Sequence, residues 1–225
     1  MRDPVRHPVE ELTFFGLTPG MTVIELWPGG GYWTEILAPY LRGRGQYVAG
    51  LAPIVPNGEE NASTQAWRKK VAAQQAFYGA VKTVWFGKDA YDLGPPGSAD
   101  LIVTFRNLHN WVGDGYADAA LAACFKALKP GGILGIEDHR GRTDVAQDPK
   151  AENGYLREDY AIALALKAGF RLAGKSEVNA NPRDTKDWVD GVWTLPPTLS
   201  QGDRDREKYI AIGEADNFVL KFVKP

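Results

Sequence analysis

Apolar positions along the chain change period several times. Val9, Leu12 and Phe15 recur at helical spacing behind Pro8, a residue suited to a first helical turn, and Gly16 is the stop. Thr22-Val-Ile-Glu-Leu-Trp is a short apolar run of the kind a buried parallel strand shows, broken by Pro28-Gly-Gly-Gly. Residues 33–41 predict a helix, Gln46–Leu51 a second strand, 53–58 a loop and 59–78 a long amphipathic helix. The same reading predicts strands over 82–86, 100–104, 133–137, 170–178 and Asn217–Val223. Helices fall over 114–128, with Asp114 as N-cap, and over 155–168, closed by Gly169.

Strands alternating with helices predict an α/β fold: a doubly wound, mostly parallel seven-stranded sheet with helices on both faces. The chain of 225 residues reads as one domain, 1–225, with an N-terminal helical lead-in over 1–20. Residues 179–208 are polar, hold Pro182, Pro196 and Pro197, and carry weak periodicity. They read as an insertion before the last strand, whose Arg183, Trp188 and Trp193 are candidates for a substrate lid.

Composition narrows the class. Hydrophobic residues make up 44% and charged residues 24%, as in a globular protein. A chain this long buries roughly 70% of its unfolded surface without staples. Net charge is −2, from 26 basic and 28 acidic residues, so no basic excess points to nucleic acid or an anionic membrane. The single cysteine, Cys124, excludes an intrachain disulfide and a cysteine-rich zinc site. No run reaches the ~18 apolar residues of a membrane span, and the first residues lack the apolar core of a signal peptide. The expectation is a soluble, cytoplasmic protein acting on a small molecule.

In such a sheet, ligands bind beyond the carboxyl ends of the strands, where strand order reverses. The first candidate is Glu25-Leu-Trp-Pro-Gly-Gly-Gly, in which glycines allow close backbone approach at the start of a helix. This segment resembles motif I of the class I S-adenosylmethionine-dependent methyltransferases. Three more blocks follow in order: Gly87-Lys-Asp89-Ala90-Tyr-Asp92-Leu93, Ala99-Asp-Leu-Ile-Val with Asn107-Leu-His109-Asn-Trp111, and Leu128-Lys-Pro130-Gly-Gly. Together they cover about residues 9 to 178, and the lead-in resembles a bacterial group of predicted methyltransferases. The resemblance implies a Rossmann-like fold and S-adenosylmethionine as cofactor. It implies Glu25 near the methionine amino group, Gly29 and Gly31 along methionine and ribose, Asp89 and Ala90 at the adenine, and Asn107 and His109 near the sulfonium.

Two departures stand out. Trp27 occupies the place of the motif's first glycine, so the indole must project outward or fill the cleft. The acid that grips the ribose hydroxyls at the end of the second strand is missing; Leu51 or Ala52 stands there. His109, and Asp138-His139 at the end of the fifth strand, belong to neighbouring strand ends and can share a pocket. Either histidine suits a general base, and with Asp138 they also suit a divalent metal, although no metal is assigned. Arg106 suits either an anchor for an anionic substrate or a partner for a surface carboxylate. The run Arg68, Lys69, Lys70 reads as a solvated helix face. Two other functions remain open: a non-catalytic member of the fold, and a nucleotide-linked oxidoreductase, whose G-x-G-x-x-G pattern the loop fits poorly.

Overall fold

The computed structural model describes residues 2–52 and 60–225, so the loop expected over 53–58 and the start of the helix after it lie outside the described residues. Two of the most apolar runs, Thr22–Leu26 (β1) and Ala99–Phe105 (β4), lie side by side at the middle of a sheet. Around them stand Gln46–Leu51 (β2), Lys82–Trp85 (β3), Leu128–His139 (β5), Arg171–Ser176 (β6) and Asn217–Val223 (β7). The order is β3-β2-β1-β4-β5-β7-β6. Pairings from β3 to β5 are parallel, whereas β7 runs antiparallel to both β5 and β6. The edge strands β3 and β6 are largely exposed, while β1, β2 and β4 are buried on both faces, which accounts for their unbroken hydrophobic character.

One layer of helices comprises Pro8–Phe15 (α2), Thr34–Leu41 (α3) and Ala62–Ala73 (α4); Asp3–Arg6 (α1) precedes it and Gln75–Tyr78 (α5) follows α4. The other comprises Leu108–Gly113 (α6), Ala117–Ala127 (α7) and Glu158–Lys167 (α8). Each layer closes its own apolar core against the sheet. On the first face, Phe15 lies flat on β5 at Gly135: a Cβ there would sit 2.8 Å from the Phe15 ring. The glycine thus sets how closely α2 approaches the sheet.

The expected helix over 59–78 is divided at Gln74 into α4 and α5. The helix expected over 114–128 starts at Ala117, because Gly113 and Gly115, the latter at φ +74°, interrupt the chain before it. Asp114 therefore closes α6 rather than capping α7, and Tyr116 is the N-cap. The turn expected at Pro130-Gly-Gly stays in the ladder: Gly131 N–H donates to Lys224 O and Lys224 N–H to Gly132 O. Strand β5 is accordingly twelve residues long.

The segment over 179–208 folds against its own domain. Val192 and Leu195 pack with Tyr155, Tyr209 and Ala215 in a small separate core, helped by a short 3-10 helix, Gly191–Thr194, and by Arg206–Ile212 (α9). Buried Asp184 ties this unit together by accepting from the Tyr155 hydroxyl (2.8 Å), the Trp188 indole (2.7 Å) and the Asp216 backbone (2.8 Å).

Gly135→Ala is expected to destabilise the fold by about 1–3 kcal/mol through overpacking at Phe15. Urea unfolding measures the loss. Phe15→Leu in the Ala background should recover part of it, and an unaltered midpoint for Gly135→Ala would refute the contact.

Candidate functional site

Glu25, next to last in β1, is buried among polar side chains from three other elements. Its Oε2 accepts from the Tyr47 hydroxyl of β2 (2.5 Å) and from the Thr34 hydroxyl at the start of α3 (3.1 Å). Thr34 Oγ1 also accepts from the Trp67 indole of α4 (2.9 Å) and lies 2.9 Å from the Tyr47 hydroxyl. Among the described residues both bonds to the carboxylate fall on one oxygen, and Oε1 has no partner. Burial raises the Glu25 pKa to about 7, against the lowering effect of the Tyr47 and Thr34 bonds.

The loop beyond β1 is built from backbone in the left-handed region. Gly29 has φ +53°, and a Cβ built on it meets nothing within 4 Å, so the backbone borders open space. Trp27 takes φ +52°, a conformation that costs a non-glycine residue roughly 1–2 kcal/mol. The indole fills space rather than projecting outward. Its Nε1 donates to Phe86 O at 2.7 Å, and its ring packs against Trp111 and Tyr116. Asn107, just past β4, donates to Leu26 O (3.2 Å) and Thr104 Oγ1 (3.3 Å), holding the loop to the neighbouring strand.

Two cavities meet at this loop. A cavity of about 780 Å³ is bounded by Glu25, Gly29, Trp33, Phe105 and Arg106, with Arg2 and Arg6 on the N-terminal side. A second, of about 320 Å³, is bounded by Leu51, Ala52, Asn61, Thr64 and Trp67. Trp27, Pro28, Gly29 and Asn107 border both. Trp33 and Phe105 stack at 3.9 Å and 13° to make an aromatic wall on the larger one.

Charge is concentrated behind that wall. Glu214 accepts from Arg6 Nε at 3.0 Å and from Arg106 Nη1 at 2.7 Å. Asn179 bridges two buried carboxyls, donating to Glu11 Oε2 (2.7 Å) and Glu137 Oε1 (3.0 Å). Burial raises the pKa of both glutamates, and at Glu11 the neighbouring Glu137 adds to the rise. Arg106 itself has φ +60°, a second strained residue at a central strand end.

A third cavity, of about 220 Å³, contains the histidines. Buried Asp138 accepts from His109 Nδ1 (2.8 Å), from His109 N–H (2.9 Å) and from His139 N–H (2.7 Å). Burial opposes its charge, yet His109 and His139 outweigh burial and hold the carboxyl below its ordinary range. His139 Nδ1 donates to Asn217 Oδ1 at 2.7 Å, and burial pushes this imidazole well below its usual pKa. Trp193 and the Pro196-Pro197 pair complete the wall, with the Trp193 ring 6.3 Å from His109. Arg106 borders both this cavity and the 780 Å³ one.

The structure thus gathers the predicted residues into two groups: Glu25, Trp27, Gly29 and Asn107 in one, and His109, Asp138, His139 and Trp193 in the other, with Arg106 between them. Gly31 packs against Trp67 and Lys70 and borders neither of the cavities at the glycine loop. Asp89, in an exposed turn, and Ala90 beside it border neither of the cavities at the glycine loop. Trp188 faces away, onto Tyr209, and Arg183 is exposed. The basic run on α4 is not wholly a solvated face: Lys70 donates to Gly30 O at 2.8 Å. Sequence reasoning missed Thr34, Tyr47, Trp67, Arg6 and Glu214. Only a polar residue in an otherwise apolar strand, as at Tyr47, marked any of them.

No family model and no curated protein matches the sequence. Solved structures do match. A SAM-dependent methyltransferase from Aquifex aeolicus aligns with TM-score 0.66 at 18% identity, over 100% of this chain and 93% of that one. The cyclase SpnF aligns with TM-score 0.68 at 13% identity, over 98% and 80%. A TehB-like SAM-dependent methyltransferase from Corynebacterium glutamicum aligns with TM-score 0.56 at 15% identity, over 97% and 88%. With its strand order and antiparallel β7, the chain has the class I SAM-dependent methyltransferase fold.

Proposed function

We propose that the chain binds S-adenosylmethionine at the glycine loop and transfers its methyl group to a small molecule. The observation that carries this reading is the cradle formed by Glu25 and Gly29: a buried carboxylate with one oxygen unpartnered among the described residues, beside glycine backbone that borders open cavity space. Glu25 suits the methionine ammonium, and the Trp33–Phe105 wall suits a sulfonium, which aromatic faces attract. The 320 Å³ cavity suits ribose and base, with Trp27 and Trp67 as apolar walls and Asn61 as the nearby polar residue where Ala52 replaces the usual acid. The cofactor, when bound, supplies an activated methyl on sulfur.

The protein's own part is to align the acceptor and exclude water. His109 is oriented by Asp138 through Nδ1, so its Nε2 is the atom that takes a proton from an acceptor bearing one; His139 stands beside it. Arg106, between the two groups, is placed to contact the acceptor. Asp89 and Ala90 enter this reading only if the turn that carries them closes onto the ligand. A non-catalytic, cofactor-holding role is the second reading. It is favoured by Ala52, by Asp89 outside the cavities, and by Arg106 standing between the histidines and the loop. The name of the cyclase SpnF is a reminder that this fold also carries other chemistry.

Calorimetric titration with S-adenosylmethionine and S-adenosylhomocysteine tests the assignment. Micromolar binding is expected, abolished by Gly29→Arg and weakened about 10–100-fold by Glu25→Gln, the cost of one charge-assisted contact. Absence of binding by either ligand sinks the reading. Binding without methylated product across an acceptor screen selects the second one.

The Glu25 carboxyl generates two pH effects of opposite sign. Its folded pKa, about 7, lies above the ordinary 4.5. Its contribution to stability is therefore fully present below pH 4.5 and lost as pH rises through 7, by roughly 3 kcal/mol in all. An ammonium ligand needs the ionised form, so cofactor affinity should fall about tenfold per pH unit below pH 7. Glu25→Gln should flatten both curves, as followed by denaturation and by calorimetry. A wild-type affinity that is level between pH 5.5 and 7 would remove Glu25 from the ammonium site.

A further inference from the structure

The histidine cavity has features that a proton acceptor alone does not require. Both imidazoles are held through Nδ1 by groups that only accept: Asp138 Oδ1 for His109 and Asn217 Oδ1 for His139. Each ring is thereby fixed with its proton on Nδ1 and its lone pair on Nε2. Among the described residues neither Nε2 has a hydrogen-bond partner, and both rings line the same 220 Å³ cavity. The ring centroids lie 5.3 Å apart. One ligand atom from each of His109, Asp138 and His139 falls within 4.8 Å of the others.

We propose that His109 and His139 bind a divalent transition-metal ion through their Nε2 atoms, with Asp138 supporting them from behind. Nitrogen ligands at about 2.0–2.1 Å from one ion can be no more than roughly 4.2 Å apart, a spacing within reach of the Nε2 atoms of two rings whose centroids are 5.3 Å apart. A carboxylate on the Nδ1–H of a ligating histidine is the usual support for such a ligand, fixing its tautomer and raising its basicity. Imidazole donors favour zinc, copper or nickel over magnesium or calcium. The rest of the coordination sphere faces the cavity, where water or an exogenous oxygen or sulfur anion can complete it.

This site does not rest on the methyl-transfer reading. Metal and proton compete for the same lone pairs, so where both hold, the ion would take over from His109 by lowering the pKa of a bound acceptor, whose proton would then pass to solvent water.

The test uses the full chain, stripped with a chelator and titrated with Co²⁺ while its visible absorption is followed. One equivalent per chain is expected, displaced by Zn²⁺ and giving the intense bands of a low-coordinate site. His109→Gln and His139→Gln should each weaken binding at least about 30-fold, and Asp138→Asn about 10–100-fold. Circular dichroism on each variant checks its fold. Paramagnetic resonance of the Cu²⁺-loaded wild type adds a measurement free of substitutions: coupling to two nitrogens is expected. No saturable uptake, uptake that survives in the double His→Gln variant, or a spectrum without nitrogen coupling would each overturn the proposal. Titration with S-adenosylhomocysteine in parallel keeps the two questions apart, because cofactor binding belongs to the glycine loop and metal binding to the histidines.

Discussion

Burial of the Glu25 carboxyl is the constraint on which the site depends. A lone carboxylate inside a protein is costly, and the chain meets that cost with hydroxyls from two other elements instead of a cation. Thr34 can reach Glu25 only if α3 begins directly after the glycine loop, and Tyr47 only if β2 is in register with β1, Glu25 opposite Ala49. Trp67 then fastens α4 to the same hydroxyl. Four elements are thus positioned by one oxygen atom, and the glycine loop is the segment they enclose. Among the described residues both donors fall on Oε2, so the carboxylate is only partly satisfied. That leaves the group poised near neutrality, since two neutral donors do not offset full burial.

Strain lies at the ends of the two central strands. Trp27 after β1 and Arg106 after β4 both adopt left-handed backbone, and neither is glycine. At Trp27 the compensation is visible: a 2.7 Å bond to Phe86 O and aromatic contacts with Trp111 and Tyr116. A glycine would relax the backbone and lose the contacts, so the tryptophan trades local strain for a filled cleft between β1 and the turn after β3. The result is a cavity walled by the indoles of Trp27 and Trp67, with Leu51 and Ala52 at the end of β2. At Arg106 the strained backbone donates to Glu137 O at 2.7 Å, and the side chain is held by Glu214.

The fold was legible because its signals are local and repeated. Apolar runs such as 22–26 and 99–105, separated by helical periods, leave few alternatives to a parallel sheet, and a family's motif blocks in order fixed the strand ends. Boundaries failed where glycine acts in three dimensions. Gly131 and Gly132 read as punctuation yet remain in a strand, because Lys224, just past β7, supplies their partner. Glu25, Gly29 and the His109–Asp138–His139 group were legible for the same reason as the fold, lying at predicted strand ends. Thr34, Tyr47 and Trp67 were not, because their polarity has meaning only once Glu25 is known to be buried among them. Trp188 and Trp193 are alike in the sequence. Only the path of the 179–208 segment, tied down at Asp184, turns the second toward the histidines and the first away.

The arrangement of Arg106 and Glu214 gives the site its remaining logic. Glu214 holds Arg6 from the N-terminal helix and Arg106 from the sheet with one carboxylate, so the cover over the larger cavity and the wall of the histidine cavity share an anchor. Of these three groups only Arg106 faces both spaces with its charge partly exposed, at 18% of the side chain. An anion entering from either side competes with Glu214 for the same guanidinium. The same ion-paired group therefore belongs to the wall of both cavities, and the sequence separation of Arg6, Arg106 and Glu214 means that the N-terminal helix, the end of β4 and the segment before β7 must all be in place before either wall is complete.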